Sequence, residues 1–535
     1  MRSRRRYALT PALSQWEGDK ASLHKGMTAR TSTFTMVRRD GKIHLVKLFF
    51  FGATSLAIVL PLLLGDLGYD VRHTFLAILL LEICLYPTVR YFARKEKGLP
   101  TMPIFCMAFA LQFAIPIFTR DASIELAQGE TRLLENSDVT AALMLAIVGI
   151  AALQFGYYLF QRTILKKAVP VAQLHLNKSR AVICCLLLGI VLPLLFNFRA
   201  IIPEEYQLPL SAILTLLQNQ VYVVIGVLGW LVYGRKASKW YTVWLYGLIA
   251  VTALHGVSTG VLEEALVPIG VLFIVRWLFT RRISFTLAAG VVGLTLFLSP
   301  VKAEYRQQLR LDQSSGVSVS AISRASLWIG EAATYWADTF AGNRDLEEAT
   351  SGATGRTDFI HQVAYIHSMT PNEIPYQYGR TYSYFAVALI PRALWPEKPQ
   401  AGSANGFFAI SYGLLTEEGA KTTTFGMSLL GEAFINFGWV GVLLVMFIQG
   451  LVISILERIF GSQKSGAGGQ AVFIAFFVFF LNGIGSSAEI LFGNIVQNLF
   501  FGYLLLLWAR EKRHHATYQI SQRDSMPLLR RTNPI

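Results

Sequence analysis

The chain alternates between long apolar runs and short polar segments. A helix needs about 20 predominantly apolar residues to cross the hydrocarbon core of a bilayer, and many of the runs approach that length. The pattern therefore predicts about twelve transmembrane helices. The predicted spans are residues 46–64, 74–93, 103–119, 139–160, 181–198, 210–233, 240–257, 262–280, 283–299, 434–456, 471–485 and 488–508.

The predicted fold class is all-α, a polytopic membrane helix bundle with one large, partly helical loop. The first segment is basic and lacks apolar periodicity, which is typical of a disordered tail. Met27 and Met36 are alternative candidates for the first residue. The predicted divisions are a cytoplasmic tail at 1–45, nine spans at 46–300, the large loop at 301–426, three spans at 427–510 and a second cytoplasmic tail at 511–535.

Lysine and arginine are distributed unevenly between the two alternating sets of connections. One set is rich in them: Arg90, Arg94, Lys95, Lys97, Arg162, Lys166, Lys167, Lys178, Arg180, Arg235, Lys236, Lys239, Arg281, Arg282, Arg458 and Lys464. The short loops of the other set hold only Arg72, Arg120, Arg132 and Arg199. Because basic loops stay on the cytoplasmic side, we expect both termini in the cytoplasm and the large loop on the outer face.

Composition supports this interpretation and excludes others. Hydrophobic residues make up 53% of the chain and charged residues 15%, whereas a soluble domain carries about a quarter charged residues. The net charge of +15 does not indicate nucleic-acid binding, because the charges lie mainly between apolar runs. The four cysteines all fall inside apolar runs, so we expect neither a disulfide framework nor a thiolate metal cluster.

The large loop begins with a row of cations. Pro300 suits the first turn of a helix, and Lys302, Arg306 and Arg310 then recur every fourth residue on one face. Arginine matches phosphate oxygens with a planar fork, so this face is either a phosphate clamp or a solvated helix surface. Farther along, apolar spacing predicts a helix lying on the membrane or on the bundle: Ile322, Ala325, Ile329, Ala332, Trp336 and Phe340.

Residues 356–369 predict a short helix capped by Thr357. Asp358 and His361 share one face of it, whereas His367 does not. No metal-ligand spacing occurs here, so we predict no metal site. His361, close to Arg356, is either an ordinary polar contact or a general base.

Residues 378–399 contain what membrane spans avoid: Arg380, Arg392, Lys398, three prolines and several aromatic rings. We expect an anionic group to be held there. Glu432 and Asn436 follow, four residues apart and therefore on one helix face. The Glu432 carboxylate either caps a helix or pairs with an arginine, or it acts as a base.

Three strings in this region resemble the bacterial oligosaccharide repeat-unit polymerases, which are the O-antigen polymerases related to the O-antigen ligases. The strings are Gly-Arg-Thr-Tyr at 379–382, Ile-Pro-Arg-x-x-Trp-Pro-x-Lys-Pro at 390–399 and Gly-Glu-Ala-Phe-x-Asn-Phe-Gly at 431–438. The predicted architecture resembles that family from about residue 46 to 510, and the motifs resemble it over about 300–440. One departure is the short outer hairpin His-Gly-Val-Ser-Thr-Gly-Val-Leu-Glu-Glu-Ala at 255–265, where family members often carry an arginine and this chain has Ser258 and Thr259 and no arginine.

The resemblance implies glycosyl transfer between two polyprenyl-diphosphate-linked oligosaccharides on the periplasmic face of a bacterial inner membrane. It implies no nucleotide sugar, cofactor or metal, and it suggests membrane lipids and a chain-length regulator protein as partners. The expected diphosphate-binding residues are Arg306, Arg310, Arg380, Arg392 and Lys398. Glu432 is the first candidate base and His361 the second. The supporting positions are Lys302, Arg356, Tyr382, Trp395 and Asn436.

Other functions stay open on the sequence alone. An O-antigen ligase shares the chemistry and differs only in the acceptor. A flippase or transporter of lipid-linked oligosaccharides has a similar number of spans, although the two halves of the chain show no repeat. A prenyl-phosphate-sugar glycosyltransferase would use acids such as Asp66 and Asp70 in the first outer loop, and a scaffold of an export complex would need no active site.

Overall fold

The computed structural model describes residues 70–94, 98–127, 129–198, 219–235, 238–282, 284–314, 320–344, 358–389 and 403–511, together with isolated residues elsewhere. This part of the chain is almost entirely helical. The helices before the large loop are α1 (Val71–Arg94), α2 (Thr101–Phe113), α3 (Pro116–Thr119), α4 (Asn136–Arg162), α5 (Leu165–Ala168), α6 (Lys178–Phe198), α7 (Val221–Gly229), α8 (Lys239–Ser258), α9 (Leu262–Thr280) and α10 (Phe285–Leu298).

The large loop is itself mostly helical where it is described. It contains α11 (Lys302–Ser314), α12 (Ala321–Phe340), α13 (Phe359–Met369), α14 (Arg380–Leu389), α15 (Ser403–Ser411) and α16 (Glu417–Thr422). The chain then returns to long apolar helices, α17 (Leu429–Leu456), α18 (Gly466–Asn482) and α19 (Ala488–Ala509). Buried side chains of α11, α12, α13 and α15 pack on the bundle, so the prediction of a partly helical loop is met in the described residues.

Seven described helical segments are long and apolar enough to cross a membrane. They are Val71–Arg94, Thr101–Thr119, Asn136–Arg162, Lys239–Ser258, Leu429–Gly461, Gln463–Gly485 and Ala488–Ala509. Val221–Gly234 and Phe285–Leu298 are shorter apolar helices at two more of the predicted spans. The first predicted span, 46–64, lies largely outside the described residues, so the count of twelve stays a prediction.

A short β-hairpin interrupts the predicted all-α pattern. Strand β1 (Ser123–Glu125) pairs antiparallel with β2 (Thr131–Leu133), with Ile124 opposite Arg132. The sequence did not indicate these strands, because each has only three residues and neither alternates buried with exposed positions. The hairpin lies between α3 and α4.

Close helix packing centres on α4 and α17. A Cβ built on Gly450 of α17 would lie 2.0 Å from the Leu153 carbonyl oxygen, and one built on Gly156 of α4 would lie 2.2 Å from that of Phe447. Glycine at both positions therefore lets the two backbones touch. Helix α13 of the large loop packs against both α4 and α17, which attaches this part of the loop to the bundle.

A second, separate hydrophobic cluster holds α11 and α12. Tyr305 of α11 stacks on Trp328 of α12 with ring centroids 4.9 Å apart. The hydroxyl of Tyr305 donates to the Arg324 carbonyl at 3.0 Å, which fastens the same two helices. The predicted helices at the start of the large loop are thus present, and both pack on the ends of α8, α9 and α10.

Candidate functional site

Glu432 lies at the centre of a polar network that joins three helices. It is fully buried. Its Oε1 accepts the Thr381 hydroxyl of α14 at 2.7 Å, and its Oε2 accepts the Ala488 backbone N–H at 2.6 Å. Ala488 is the first residue of α19, so the carboxylate satisfies a donor that a helix start leaves unpaired.

Asn436 completes this network one turn farther along α17. Its Nδ2 donates to the Thr381 hydroxyl oxygen at 2.7 Å and to the Glu432 carbonyl at 2.8 Å, while its Oδ1 accepts the Gly379 N–H at 2.8 Å. We call Gly379, Thr381, Glu432, Asn436 and the Ala488 amide the capping network. The predicted common face of Glu432 and Asn436 is present, and it binds α14 and α19 to α17.

Helix α17 is broken directly after this network. Gly438 has φ 60° and ψ −147°, so the backbone leaves the helical conformation there. The break frees the carbonyls of Ile435 and Asn436, which accept the amides of Gln377 at 3.0 Å and Tyr378 at 3.1 Å. The segment before α14 therefore satisfies the broken turn of α17.

Two other predicted residues lie on α14 beside the capping network. The Tyr382 ring stacks on Phe437 with ring centroids 6.4 Å apart, and its buried hydroxyl has no hydrogen-bond partner among the described residues. Burial and the nearby Glu432 carboxylate raise the pKa of Tyr382 well above its ordinary value. The Arg380 guanidinium is exposed and lies 5.7 Å from the Phe407 ring centroid. Arg380 thus places an exposed positive charge next to the buried capping network.

A second polar group lies at the start of α13. His361 Nδ1 is 2.7 Å from Asp358 Oδ2, and Arg120 Nη1 is 3.7 Å from the same oxygen. Asp358 also caps α13, accepting the His361 backbone N–H at 3.2 Å. The predicted cap was Thr357, which lies outside the described residues, and the cap is Asp358. We call Arg120, Asp358 and His361 the histidine site.

The contacts of His361 determine what its ring can do. An ionised carboxylate only accepts hydrogen bonds, so Nδ1 carries the proton and donates it to Asp358. In the described part of the chain, Nε2 is left with an unshared lone pair. The side chain is only 4% exposed and Asp358 is 6% exposed, so the pair is held in a fixed orientation. This arrangement can accept a proton at Nε2.

The sequence missed a second pair of the same kind on α13. His367 Nδ1 lies 2.7 Å from Asp138 Oδ1, at the start of α4. The His367 ring also lies 5.5 Å from Phe434. The only sequence signal was the separate face predicted for His367. The partners Asp138 and Arg120 are more than 200 residues away in the chain, so spacing alone could not have indicated them.

Arg306 of α11 lies beside the turn between α8 and α9. A Cβ built on Gly260 in that turn would lie 3.1 Å from Cγ of Arg306. Lys302 and Arg306 are half-buried on one side of α11, as the four-residue spacing predicted. Arg310 lies on the same helix, and its side chain is outside the described atoms. Arg306 therefore lies beside a turn whose own sequence contains no arginine.

The remaining predicted residues are not brought into either group by described contacts. Trp395 is 40% exposed. Arg356, Arg392 and Lys398 lie outside the described residues, so their roles stay predictions. Within the described chain, no group of three or more histidine, cysteine, aspartate or glutamate side chains could hold a metal ion.

Comparison with known families adds a classification. A family model described as "Domain of unknown function (DUF8712)" matches residues 130–513. The chain belongs to the DUF8712 family. The DUF8712 match runs from the β-hairpin to just after α19 and includes Asp358, His361 and Glu432, whereas Arg120 precedes it. No curated protein and no solved structure matches the chain.

Proposed function

We propose that the chain is an integral membrane glycosyltransferase that polymerises polyprenyl-diphosphate-linked oligosaccharide repeat units on the periplasmic face of a bacterial inner membrane. The three strings at 379–382, 390–399 and 431–438 support this function by their resemblance to the O-antigen polymerases. A bundle of apolar helices with a helical loop packed on it is compatible with the function. The proposal includes the predicted orientation, with both termini in the cytoplasm.

The observation that carries the proposal is the position of Arg306. Repeat-unit polymerases often carry an arginine in the hairpin that corresponds to residues 255–265, and this chain has none there. Arg306 lies against Gly260 in that hairpin and is half-buried. In this proposal, Arg306 supplies from α11 the cation that family members carry in the hairpin, at the ends of two apolar helices.

The reaction needs positive charge more than it needs a metal or cofactor. A hydroxyl oxygen of the acceptor sugar attacks the anomeric carbon of the growing glycan, and the bond from that carbon to the diphosphate oxygen breaks. The polyprenyl diphosphate leaves with the electron pair. Preorganised arginines stabilise this developing charge, an effect that is usually the largest single contribution to catalysis. We assign it to Arg306 and Arg380, with Arg310, Arg392 and Lys398 as further cations.

The acceptor hydroxyl must also lose its proton. Both Glu432 oxygens already accept hydrogen bonds in a fully buried network, which favours a structural role for that residue. His361 has an oriented ring and an unshared lone pair on Nε2. We therefore propose His361 as the base and Asp358 as the residue that positions it, while the role of Glu432 as a base stays the weaker hypothesis.

A transporter of lipid-linked oligosaccharides is the second candidate, since broken spans are typical of transporters. The break at Gly438 is such a feature. However, transporters use the freed carbonyls to bind ions, and here the amides of Gln377 and Tyr378 occupy them. The contacts of the break favour the enzyme. An O-antigen ligase would use the same residues with a different acceptor.

The test is a reaction with purified protein in lipid nanodiscs, given lipid-diphosphate repeat units and neither nucleotide nor metal. We expect a ladder of polymer. Product on a lipid A core acceptor alone would indicate a ligase, and the absence of any product would contradict glycosyl transfer.

Arg306→Ala tests the charge stabilisation. We expect folded, membrane-inserted protein whose rate of polymer formation falls about 10²–10³-fold, the loss typical of one oxyanion donor. Arg344→Ala is the matched control, because that arginine is exposed and lies over the Tyr335 ring on the neighbouring helix. A wild-type rate and polymer length in Arg306→Ala would contradict the role of Arg306.

A further inference from the structure

Helix α12 has a buried face and an uncovered apolar stripe beside it. The buried face consists of Ala325, Trp328, Ala332, Tyr335 and Thr339. Ile322, Ile329 and Phe340 follow one another along the neighbouring side at helical spacing. Their exposed fractions are 70%, 46% and 81%. Such large exposed side chains, aligned over most of the helix, indicate a surface that something else covers.

Two tryptophans show how α12 lies on the bundle. Trp328 Nε1 donates to the Leu298 carbonyl and Trp336 Nε1 donates to the Phe297 carbonyl, each at 3.1 Å. The two tryptophans are about 12 Å apart along α12 at 1.5 Å per residue, yet their acceptors are adjacent at the end of α10. Two helices running side by side would place these acceptors about as far apart as the donors. Helix α12 therefore crosses the end of α10.

The stripe continues the exposed apolar surface of α10. The Phe340 ring lies 5.7 Å from that of Trp336, which is bonded to the end of α10. Below that end, Val292 and Leu296 of α10 are 57% and 38% exposed. These side chains belong to an apolar helix in a bundle of membrane-spanning length, so lipid chains are their natural surroundings. The stripe is next to them, at the end of the span.

The opposite side of α12 is mainly polar, although Leu327 on that side is 42% exposed. Ser323 and Thr334 are exposed there, and Glu331 and Asp338 are half-buried. A helix with one apolar and one polar side, lying across the end of a span, has the properties of a helix in the membrane interface. The two tryptophans fit the same location, because indole rings are enriched at the level of the lipid headgroups.

We infer that α12 is a membrane-surface helix whose stripe of Ile322, Ile329 and Phe340 enters the lipid leaflet at the end of α10. The occupant of the stripe is lipid acyl chain, and neither a second copy of the chain nor a soluble protein. Because Tyr305 stacks on Trp328, α12 also holds α11 at the membrane surface. Arg306 then lies near the level of lipid phosphates. The inference does not depend on glycosyl transfer.

The experiment measures contact of single positions with lipid. Ile329→Cys and its control Thr334→Cys lie on opposite sides of α12, and the four natural cysteines are buried. Each variant is labelled with an environment-sensitive maleimide dye and placed as a single protomer in nanodiscs. Lipids with a spin label high in the acyl chain then act as quenchers.

We expect several-fold stronger quenching at position 329 than at 334, and the same contrast between Ile322→Cys and Ser323→Cys. Equal quenching on the two sides, or none on either, would overturn the inference. Quenching at 329 that vanishes when a second protomer is present in the disc would identify another copy of the chain as the occupant and would also overturn it.

Discussion

Two buried carboxylates beside the large loop are used in different ways. Glu432 accepts one hydrogen bond on each oxygen, from the Thr381 hydroxyl and from the first amide of α19. Asp358 holds His361 through Nδ1 and receives a longer contact from the half-exposed Arg120. The Glu432 carboxylate accepts hydrogen bonds only from groups that hold the helices together. The Asp358 carboxylate orients the His361 ring, whose Nε2 has no hydrogen-bond partner among the described residues.

This difference separates a structural role from a chemical one. A buried charge is stable only when it is hydrogen-bonded, and Glu432 achieves this by connecting three helices. Glu432 is fully buried and each of its oxygens is already tied to a donor of another helix, although each keeps a second lone pair. Proton transfer to His361 would leave its contact with Asp358 intact, and the resulting imidazolium would lie against a carboxylate. The residue that the sequence favoured as base is therefore the one that already joins three helices.

Removal of the Glu432 side chain gives the largest expected effect. Glu432→Ala leaves the Thr381 hydroxyl and the Ala488 amide without their acceptors inside the protein. We expect a loss of about 2–6 kcal/mol in the free energy of unfolding, because each of the two buried donors left unsatisfied costs about 1–3 kcal/mol. Denaturation in detergent, followed by tryptophan fluorescence, measures it.

The control for Glu432 is Glu125→Ala, which removes an exposed carboxylate from β1. We expect its unfolding curve to match that of the wild type. If Glu432→Ala were as stable as the wild type and yet inactive, the structural role assigned to Glu432 would be wrong, and Glu432 would be the better candidate for the base.

His361→Gln gives the next largest effect, chiefly on rate. Loss of a general base lowers the rate by about 10²–10⁴-fold. We expect that loss in polymer formation, with a loss of stability no larger than in the matched control, because both variants remove a ring that contacts an aspartate. His367→Gln is the matched control, because His367 also lies on α13 and also contacts an aspartate at 2.7 Å. An equal loss of rate in the two variants would show that neither pair is specifically catalytic.

Asp358→Asn separates positioning from catalysis at the same site. Asparagine still caps α13, so stability should change little. It no longer fixes the proton on Nδ1 of His361, so the pH profile of the rate should shift and the maximal rate should fall less than in His361→Gln. An unchanged pH profile would exclude Asp358 as the positioning residue.

The sequence predicted the contacts within each helix of these two sites and missed the contacts between segments far apart in the chain. The spacing of Asp358 and His361, and of Glu432 and Asn436, places each pair on one helix face, because a helix brings residues three or four apart together. Arg120 and the Ala488 amide come from segments far along the chain. The packing of α3 against α13 brings Arg120 to the site, and the packing of α19 against α14 brings the Ala488 amide to Glu432.

The break in α17 was also invisible in the sequence, for a related reason. Residues 434–456 form a continuous apolar run, and apolarity alone does not distinguish a straight helix from a broken one. What allows the break is Gly438 together with the amides of Gln377 and Tyr378, which satisfy the freed carbonyls. A glycine in such a run was compatible with a kink, but its partners lie almost 60 residues earlier.

Gly438→Ala tests whether the capping network depends on this break. An alanine there would adopt φ 60°, and its Cβ would lie 2.9 Å from the Tyr376 hydroxyl. We expect a destabilisation of about 1–3 kcal/mol, the usual cost of a strained backbone position. Gly290→Ala in α10 is the control, because a Cβ there has no neighbour within 4 Å. Equal stability of both variants would show that the break is not required.

Glu331 on α12 extends the comparison to a third carboxylate, with the smallest expected effect. Its Oε2 is buried and has no hydrogen-bond partner in the described part of the chain, and burial together with Glu304 of α11 raises the pKa of Glu331. A raised pKa means that the protonated form favours the folded state, so this contribution is complete below the unfolded pKa and is lost as pH rises through the folded pKa. We expect Glu331→Gln to flatten that pH dependence and to raise stability at neutral pH by less than about 1 kcal/mol.

Unfolding curves from pH 4 upwards, with Glu125→Gln as the control, measure the slope of stability against pH. An unchanged slope of stability against pH in Glu331→Gln would mean that Glu331 is solvated like any exposed acid and that its carboxylate does not destabilise the fold.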